Sequence, residues 1–287
     1  MNNRNEKMSD FNYSIIVPYR DKYDLFFKAV ESIPDREDVQ VIVVDNSLET
    51  LSEKEIPVKC SARVDYTTSS KTKGAGCARN EGLRHVEGRF LLFLDADDYF
   101  TPNAFESFDR YLNENYDIVF FNVTSRRLVD GKESDRHLYY SKCIQEWVST
   151  HDERRIRYRW PVPWAKMYRS SFILDEKIQF EEKPVLNDAW FSLMAGHAAG
   201  KVYVDESVVY AVTEAAKGQS LTKNVTRDNS FLRFKTRVQI NLFLKSIGRY
   251  DMHIRLLGSL RIAFKNFGVI EMLRYWQYAA KKRVSVF

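Results

Sequence analysis

The residues with the clearest chemical potential are three carboxylates in one short run, Asp95-Ala-Asp97-Asp98. They follow the apolar segment 90–94, which has the composition of a buried strand. In open α/β sheets ligands bind at the carboxyl ends of strands, and Mg²⁺ or Mn²⁺ take oxygen ligands beside substrate phosphates. The run therefore predicts a site for a divalent cation and a diphosphate. The alternative is an Asx-type turn, because Asp is common in such turns.

The first hundred residues alternate between apolar runs and segments of helical spacing. Predicted strands cover residues 13–18, 39–44, 62–66 and 90–94, and predicted helices cover 24–33 and 76–84. The strands are continuously apolar, which is typical of a parallel sheet covered by helices on both faces. The sequence thus predicts an α/β fold with a mostly parallel, Rossmann-like sheet. Asp45 is expected at the same carboxyl edge as Asp95.

Composition gives the broad class of the protein. A chain of 287 residues with 44% hydrophobic residues is long enough for one large domain or a domain with an appendage. Cys60, Cys77 and Cys143 lack CxxC spacing, so we expect reduced thiols and neither a zinc site nor a disulfide framework. The polar N-terminus does not resemble a signal peptide, and no stretch reaches the roughly 18 apolar residues of a membrane span. A cytoplasmic protein is expected.

Four motifs occur in an order that resembles family 2 glycosyltransferases with the A-type fold. They are Ile15-Ile-Val-Pro-Tyr-Arg20, Val43-Val-Asp-Asn-Ser47, Gly74-Ala-Gly-Cys-Ala-Arg-Asn-Glu-Gly82 and Leu94-Asp-Ala-Asp-Asp-Tyr99. The resemblance implies a catalytic domain over 13–225, with a nucleotide-binding half at 13–100 and an acceptor-binding half at 101–225. Residues 1–12 are then a disordered or extended terminus, and 226–287 form a helical extension.

The resemblance assigns nucleotide-binding roles to five residues. Pro18 and Tyr19 would shape the base pocket, and Asp45 would accept a hydrogen bond from the uracil N–H. Arg79 would face a base carbonyl or the phosphates, a task that suits its rigid fork of donors. Asp95 would lie near the ribose and the water shell of the metal. The alternatives are a turn closed by Asp45 and an exposed helical charge at Arg79.

The same resemblance implies a metal ligand and a catalytic base. Asp97 would bind Mn²⁺ or Mg²⁺ directly, with Asp98 supporting or sharing the ion. Asp188 would accept the proton of the acceptor hydroxyl. The family usually has Glu before this Asp, whereas this chain has Asn187. The alternative for both residues is an N-cap on a helix over 189–199, with Asn187 as the better cap.

Three later residues resemble the acceptor or donor pocket of the family. Trp164 suits a sugar face and Lys166 an anion, although core packing is an equal alternative. Ser220 belongs to a segment, 218–222, that resembles the loop closing over the donor. The Arg that usually precedes this loop is replaced by Thr213 or Glu214.

The C-terminal extension has helical spacing and few Gly or Pro residues. One apolar stripe contains Leu256, Leu257, Leu260, Phe264 and Phe267, with Arg261 and Lys265 opposite, and a second contains Val269, Met272, Leu273 and Trp276. Such basic amphipathic helices pack on their own domain, lie on an anionic membrane surface, or form a homodimer. The inner face of the plasma membrane is therefore an alternative location.

These features together predict an inverting, metal-dependent transfer from a nucleotide-diphosphate sugar, most simply a UDP-sugar. The resemblance implies a glycan or lipid-linked oligosaccharide acceptor in bacterial surface polysaccharide synthesis. A non-catalytic nucleotide-sugar or glycan-binding module is the alternative. A nucleotidyltransferase is disfavoured because no glycine-rich loop follows the first strand. The arginines at 154, 155, 157 and 159 are interpreted as a solvated face or an anionic acceptor site, and no nucleic-acid partner is expected.

Overall fold

The chain is described here by a computed structural model that covers residues 10–21, 23–47, 61–70, 74–215 and 225–286. These residues form two compact units. The first runs to Lys183 and resumes over Asn187–Ala215, and the second contains Pro184–Leu186 and residues 225–286. The first unit is a mixed eight-stranded sheet with flanking helices, whereas the second is helical. Most of the predicted terminus over 1–12 lies outside the described residues.

The first four strands form the parallel part of the sheet, in the order β3-β2-β1-β4. Its elements are β1 Tyr13–Tyr19, α1 Tyr23–Glu31, β2 Val39–Asp45, β3 Arg63–Thr68, α2 Gly74–Leu83 and β4 Phe90–Phe93. Every residue of β2 and β4 is buried, as continuous apolarity predicts for strands that are covered on both faces. The predicted α/β fold is therefore confirmed.

The other four strands continue the sheet in the order β7-β6-β8-β5. The elements are β5 Tyr99–Phe100, α3 Ala104–Asp109, β6 Ile118–Arg127, a 3₁₀ helix Asp135–His137, α4 Leu138–Thr150, α5 Arg154–Tyr158, β7 Lys166–Arg169, α6 Ser170–Asp175, α7 Asn187–Ala198 and β8 Val202–Glu214. Strand β7 is antiparallel to both β4 and β6, while β6 and β8 are parallel. β7 thus joins the parallel strands to the rest of the sheet.

Aromatic side chains fill the core beside β4. The ring of Phe93 makes edge contacts with Tyr168, Phe180 and Phe191. Phe180 and Phe191 stack with their ring centroids 3.9 Å apart. These contacts tie β7, the segment before α7 and α7 itself to the strand that leads into the carboxylate run.

The second unit contains α8 Arg227–Ser246, a 3₁₀ helix Tyr250–Met252, α9 Leu257–Phe267 and α10 Val269–Lys281. Its core holds Phe234, Val238, Leu256, Leu260, Ala263, Tyr275 and Ala279. The predicted stripes are only partly buried, because Phe264, Val269, Leu273 and Trp276 are exposed. No helix in the described part of the chain has the length and apolarity needed to cross a membrane.

Candidate functional site

The loop after β4 is fixed by strand β8. The hydroxyl of Tyr210 accepts a hydrogen bond from the Asp95 N–H at 3.1 Å and donates to Asp98 Oδ2 at 3.0 Å. The Thr213 N–H donates to Asp98 Oδ1 at 2.7 Å, and the Thr213 hydroxyl donates to the carbonyl of Asp97. Asp98 N–H also donates to the Asp95 carbonyl at 2.9 Å, so a turn is present as well. The carboxylates are therefore held in a rigid loop.

Asp97 and Asp98 have different surroundings. Asp98 is 3% exposed, and burial together with the nearby charges of Asp97 and Asp95 raises the pKa of its carboxyl group well above the ordinary value. Both oxygens of Asp98 already accept protein hydrogen bonds. Asp97 is only partly buried. This arrangement makes Asp98 an anchor of the loop and leaves Asp97 as the more accessible carboxylate.

Arg79 joins two sequence-distant motifs. Its side chain, on α2, donates to Asp95 Oδ1 at 2.5 Å and to Asn187 Oδ1 at 3.1 Å, and its guanidinium lies 5.3 Å from the ring centroid of Phe180. Arg79 is 4% exposed, so the alternative of an exposed helical charge is wrong. Burial disfavours the charged form, but Asp95 and Asp188 together raise the pKa of Arg79. Its Nε–H has no hydrogen-bond partner among the described residues.

Gly76 permits the close approach of α2 to the segment before α7. A Cβ atom at this position would lie 2.3 Å from the Glu181 carbonyl oxygen and 2.8 Å from Asn187 Cβ. Both distances are below van der Waals contact, so only glycine fits without a backbone shift. Gly74, at the start of α2, has φ near +74°. The two glycines thus serve the approach of protein segments and the start of a helix.

Asp188 lies in the first turn of α7 and is partly buried. Desolvation raises the pKa of its carboxyl group, an effect that Arg79 opposes and Asp95 reinforces. Helix α7 begins at Asn187 itself, and the Asn187 amide accepts from Arg79 and donates to the Lys183 carbonyl at 3.3 Å. Asn187 therefore does not serve as the predicted N-cap but connects α7 to Arg79.

The end of β2 forms a second arrangement beside β1. Asp45 is 1% exposed, and its carboxylate accepts hydrogen bonds from the Ser47 N–H and the Tyr66 hydroxyl, both at 2.8 Å. The Ser47 contact is the turn that the sequence offered as the alternative. Tyr19 is opposite Asp45 in the strand register, is 4% exposed and packs on Phe26. Pro18 is half-buried next to it.

Trp164 and Lys166 have the contacts of core residues. Trp164 is 2% exposed and stacks on Tyr210 with ring centroids 5.1 Å apart. Lys166 is also 2% exposed, donates to the Trp160 carbonyl at 3.2 Å and lies 5.1 Å from the ring centroid of Phe120. Burial lowers the pKa of the Lys166 ammonium well below its ordinary value, while Asp188 opposes this shift. Ser220 lies outside the described residues.

Two residues at the site have no clear signal in the sequence. Tyr210 is one of many aromatic residues in an apolar strand, yet it contacts both Asp95 and Asp98. Arg136, in the short 3₁₀ helix, donates to the Thr213 carbonyl at 2.9 Å, and its charge opposes the raised pKa of Asp98. It lies in a polar segment without a motif, so only the folded chain brings this cation to the carboxylate loop.

The described residues fit a divalent cation only in part. Among them, no three His, Cys, Asp or Glu side chains form a group that could hold a metal ion. Mg²⁺ commonly binds through one or two carboxylates together with substrate phosphates. The partly buried carboxylate of Asp97 fits binding of this kind, in which the substrate completes the coordination shell.

Comparison with known proteins relates this geometry to sugar transfer. The minor teichoic acid biosynthesis protein GgaB of Bacillus subtilis is 29% identical over 181 residues, covering 54% of this chain and 20% of that protein. The poly(ribitol-phosphate) beta-N-acetylglucosaminyltransferase TarS of Staphylococcus aureus is 21% identical over 238 residues, covering 80% of this chain and 40% of that protein. This chain therefore spans less than half the length of either relative.

The fold is also similar to solved structures. The crystal structure of S. aureus TarS 1-349 in complex with UDP-GlcNAc matches with a TM-score of 0.70 and 20% identity, covering 94% of this chain and 79% of that one. The mannosyltransferase PcManGT of Pyrobaculum calidifontis, in complex with GDP-Man and Mn²⁺, matches with a TM-score of 0.54 and 13% identity, covering 96% and 81%. These likenesses show the predicted A-type fold. Since the model of Glycosyl transferase family 2 matches residues 14–181, more than half of the chain, this protein belongs to that family.

Proposed function

We propose that this chain transfers a sugar from a nucleotide-diphosphate sugar, most simply a UDP-sugar, to a glycan or lipid-linked acceptor in bacterial surface polysaccharide synthesis. The observation that carries the proposal is the network around Arg79, which joins the Asp95 loop to the start of α7. The acceptor class is supported by two relatives, one named for teichoic acid biosynthesis and one for transfer to poly(ribitol-phosphate). The UDP-GlcNAc complex of TarS supports the donor class.

In this proposal the nucleotide lies over the carboxyl ends of β1 and β2. Pro18 and Tyr19 form the wall of the base pocket, and Asp45 accepts a hydrogen bond from the base. The Asp45 carboxylate is held in place by Ser47 and Tyr66, which pre-orients it for that contact. Arg79 carries positive charge next to Asp95, which favours the approach of the anionic diphosphate.

Asp97 is the residue that would hold Mn²⁺ or Mg²⁺ against the diphosphate. When bound, such an ion stabilises the negative charge that develops on the leaving diphosphate. Asp98 keeps the loop in place through its hydrogen bonds to Tyr210 and Thr213. Asp95, which is held by its ion pair with Arg79, would lie near the ribose.

Asp188 acts as the general base. Its carboxylate takes the proton of the acceptor hydroxyl while that oxygen forms a bond to the anomeric carbon. The bond between this carbon and the diphosphate oxygen breaks, and the electron pair leaves with the nucleoside diphosphate. Attack opposite the leaving group inverts the anomeric configuration. The raised pKa of Asp188 supports this role, because a more basic carboxylate is a better proton acceptor.

Calorimetric titration with UDP, with and without Mn²⁺, tests the donor site directly. We expect Mn²⁺-dependent binding by the wild type, and a loss of that dependence in Asp97→Ala. Asp175→Ala is the matched control, because Asp175 is an exposed carboxylate at the end of α6. Release of UDP from a panel of UDP-sugars should fall on the order of a hundredfold in Asp97→Ala, equivalent to about 2.7 kcal/mol.

The titration also separates the transferase from its alternative. If UDP, GDP and the other nucleotides of sugar donors all fail to bind under either condition, the transferase proposal is refuted and a glycan-binding module becomes the better hypothesis. Binding of UDP that does not depend on Mn²⁺ and is unchanged in Asp97→Ala would retain the nucleotide site but refute the metal role of Asp97.

A further inference from the structure

Formal charge is distributed very unevenly along the chain. Residues 225–286 contain 13 Lys and Arg but only three Asp and Glu, a net charge of +10. The whole chain has a net charge of +5, so all other residues together have a net charge of −5. Such a concentration of positive charge attracts anionic partners over distances of roughly a Debye length.

Helices α9 and α10 present this charge without exposed carboxylates. Their one acidic residue is Glu271, which is 6% exposed and lies 3.0 Å from Arg274 in an ion pair. The basic side chains of these helices and of the residues just after α10 are all exposed; they are Arg261, Lys265, Arg274, Lys281, Lys282 and Arg283. The exposed charges of the helix pair are therefore all positive.

The same helix pair exposes large apolar side chains. On α10, Ile270 is 81% exposed, Trp276 is 50% exposed and Leu273 is 45% exposed. Phe264, on α9, is 56% exposed. Isolated exposed apolar residues are normal, but several on one helix pair mark an interaction surface. We call the four exposed residues of α10, Val269, Ile270, Leu273 and Trp276, the apolar face.

The apolar face of α10 lies opposite the side that is buried in this unit. Glu271, Tyr275 and Ala279, at four-residue spacing, face the core. Val269, Leu273 and Trp276 also follow helical spacing but are exposed on the other side. The core of the unit therefore does not use the more apolar stripe of this helix, which remains available on its surface.

We propose that α9 and α10 bind the surface of an anionic phospholipid bilayer. The apolar face inserts at the level of the lipid headgroups, and the surrounding Lys and Arg side chains contact lipid phosphates. Trp276 suits this depth, because its indole has an apolar ring and a polar N–H. The helices lie along the bilayer surface, and the proposal does not depend on the transferase activity.

Charge favours a bilayer over a second copy of the chain. A dimer through the apolar face would bring two positive surfaces together without exposed carboxylates on α9 or α10 to pair with them. An anionic bilayer has the opposite charge and an apolar layer beneath it. Each basic residue near such a surface contributes a factor on the order of five in binding constant, from about 1 kcal/mol.

Vesicle flotation of the full chain tests the proposal. We expect binding to phosphatidylcholine vesicles that contain phosphatidylglycerol, little binding to pure phosphatidylcholine, and weakening with added salt. The double variant Leu273→Gln/Trp276→Gln should reduce the partition coefficient at least tenfold. Val129→Gln is the matched control, because Val129 is an apolar residue of the first unit that is 74% exposed.

A second variant tests the charge independently of the apolar face. Lys281→Gln/Lys282→Gln/Arg283→Gln should weaken binding at least tenfold, whereas Lys28→Gln/Lys132→Gln/Lys142→Gln, which removes three exposed lysines of the first unit, should leave binding within about twofold. Far-UV circular dichroism and thermal unfolding establish that each variant is folded. The proposal is overturned if phosphatidylglycerol vesicles do not bind the wild type or bind all folded variants equally. It is also overturned if sedimentation shows a dimer that Leu273→Gln/Trp276→Gln dissociates while vesicle binding is absent.

Discussion

Asp45 and Asp95 follow strands that both pair with β1, yet their carboxylates are stabilised in different ways. At the β2 end, Asp45 accepts hydrogen bonds from the Ser47 N–H and the Tyr66 hydroxyl. At the charged β4 end, which comprises Arg79, Asp95, Asn187 and Asp188, a buried guanidinium faces two carboxylates. The sequence pattern of an apolar strand followed by Asp is thus the same for two carboxylates with different surroundings. In the proposed function, the β4 end carries the proton transfer and the β2 end recognises the base.

The largest effect is expected for Asp188→Asn. Loss of a general base should lower kcat by about 10²- to 10⁴-fold, while Asp45→Asn should weaken UDP binding and leave kcat nearly unchanged. Because the pKa of Asp188 is raised, the wild-type rate should fall on acidification at a higher pH than for an ordinary Asp, as the base becomes protonated. Steady-state kinetics over a pH series measures the loss of kcat in each variant and the pH dependence of the wild type. Equal losses of kcat in the two variants would remove the distinction between the ends.

A smaller, structural effect is expected for Arg79→Met. The change leaves Asp95 without its ion pair and Asn187 without its donor, and should lower the free energy of unfolding by about 2–3 kcal/mol. Arg63→Met is the control, because Arg63 forms an exposed ion pair with Glu87. This substitution should lower the free energy of unfolding by less than about 1 kcal/mol. Denaturant unfolding of both variants measures the difference. Similar losses of stability in the two variants would show that the buried ion pair of Arg79 contributes no more than an exposed one.

Lys166→Met tests the other buried cation near Asp188. The pKa of Lys166 is lowered in the folded protein, so its buried charge destabilises the fold most at pH values below that lowered pKa. This destabilisation disappears as the pH rises towards 10.5, the ordinary pKa of lysine. The variant should therefore be more stable near neutral pH, by about 1–2 kcal/mol, and this gain should shrink at alkaline pH. Unfolding at several pH values measures it, with the exposed Lys201→Met as control. A gain that is independent of pH would contradict the buried charge.

The smallest effect is expected at the β2 end. Tyr66→Phe removes one hydrogen bond to Asp45 but leaves the Ser47 N–H in place. The free energy of unfolding should therefore fall by about 1 kcal/mol. UDP titration should show a modest loss of affinity, since the Asp45 carboxylate is less fixed. A larger loss of stability than in Arg79→Met would reverse the comparison between the two ends.

The sequence predicts the parallel strands well because their signal is local. Continuous Val, Ile and Phe runs are sufficient to predict β1, β2 and β4, and their Asp residues follow directly. The contact between Arg79 and Asn187 cannot be read in the same way, since the two residues are 108 positions apart. Only tertiary packing brings them together.

Two other features show the same limit of sequence reasoning. Lys166 lies in a strand of four residues, and no local pattern indicates that its ammonium is buried among aromatic rings. On α10 the apolar stripe is evident in the sequence. Periodicity does not reveal that Tyr275 and Ala279, rather than Leu273 and Trp276, face the core.

The close approach at Gly76 has a consequence for protein engineering. Because no Cβ atom fits between α2 and the Glu181 carbonyl, direct backbone contact sets the separation between Arg79 on α2 and Asp188 on α7. A methyl group at position 76 would push these helices apart and misalign groups that are themselves unchanged. Libraries that aim at new donor specificity should therefore keep residues 74–79 and 181–188 fixed.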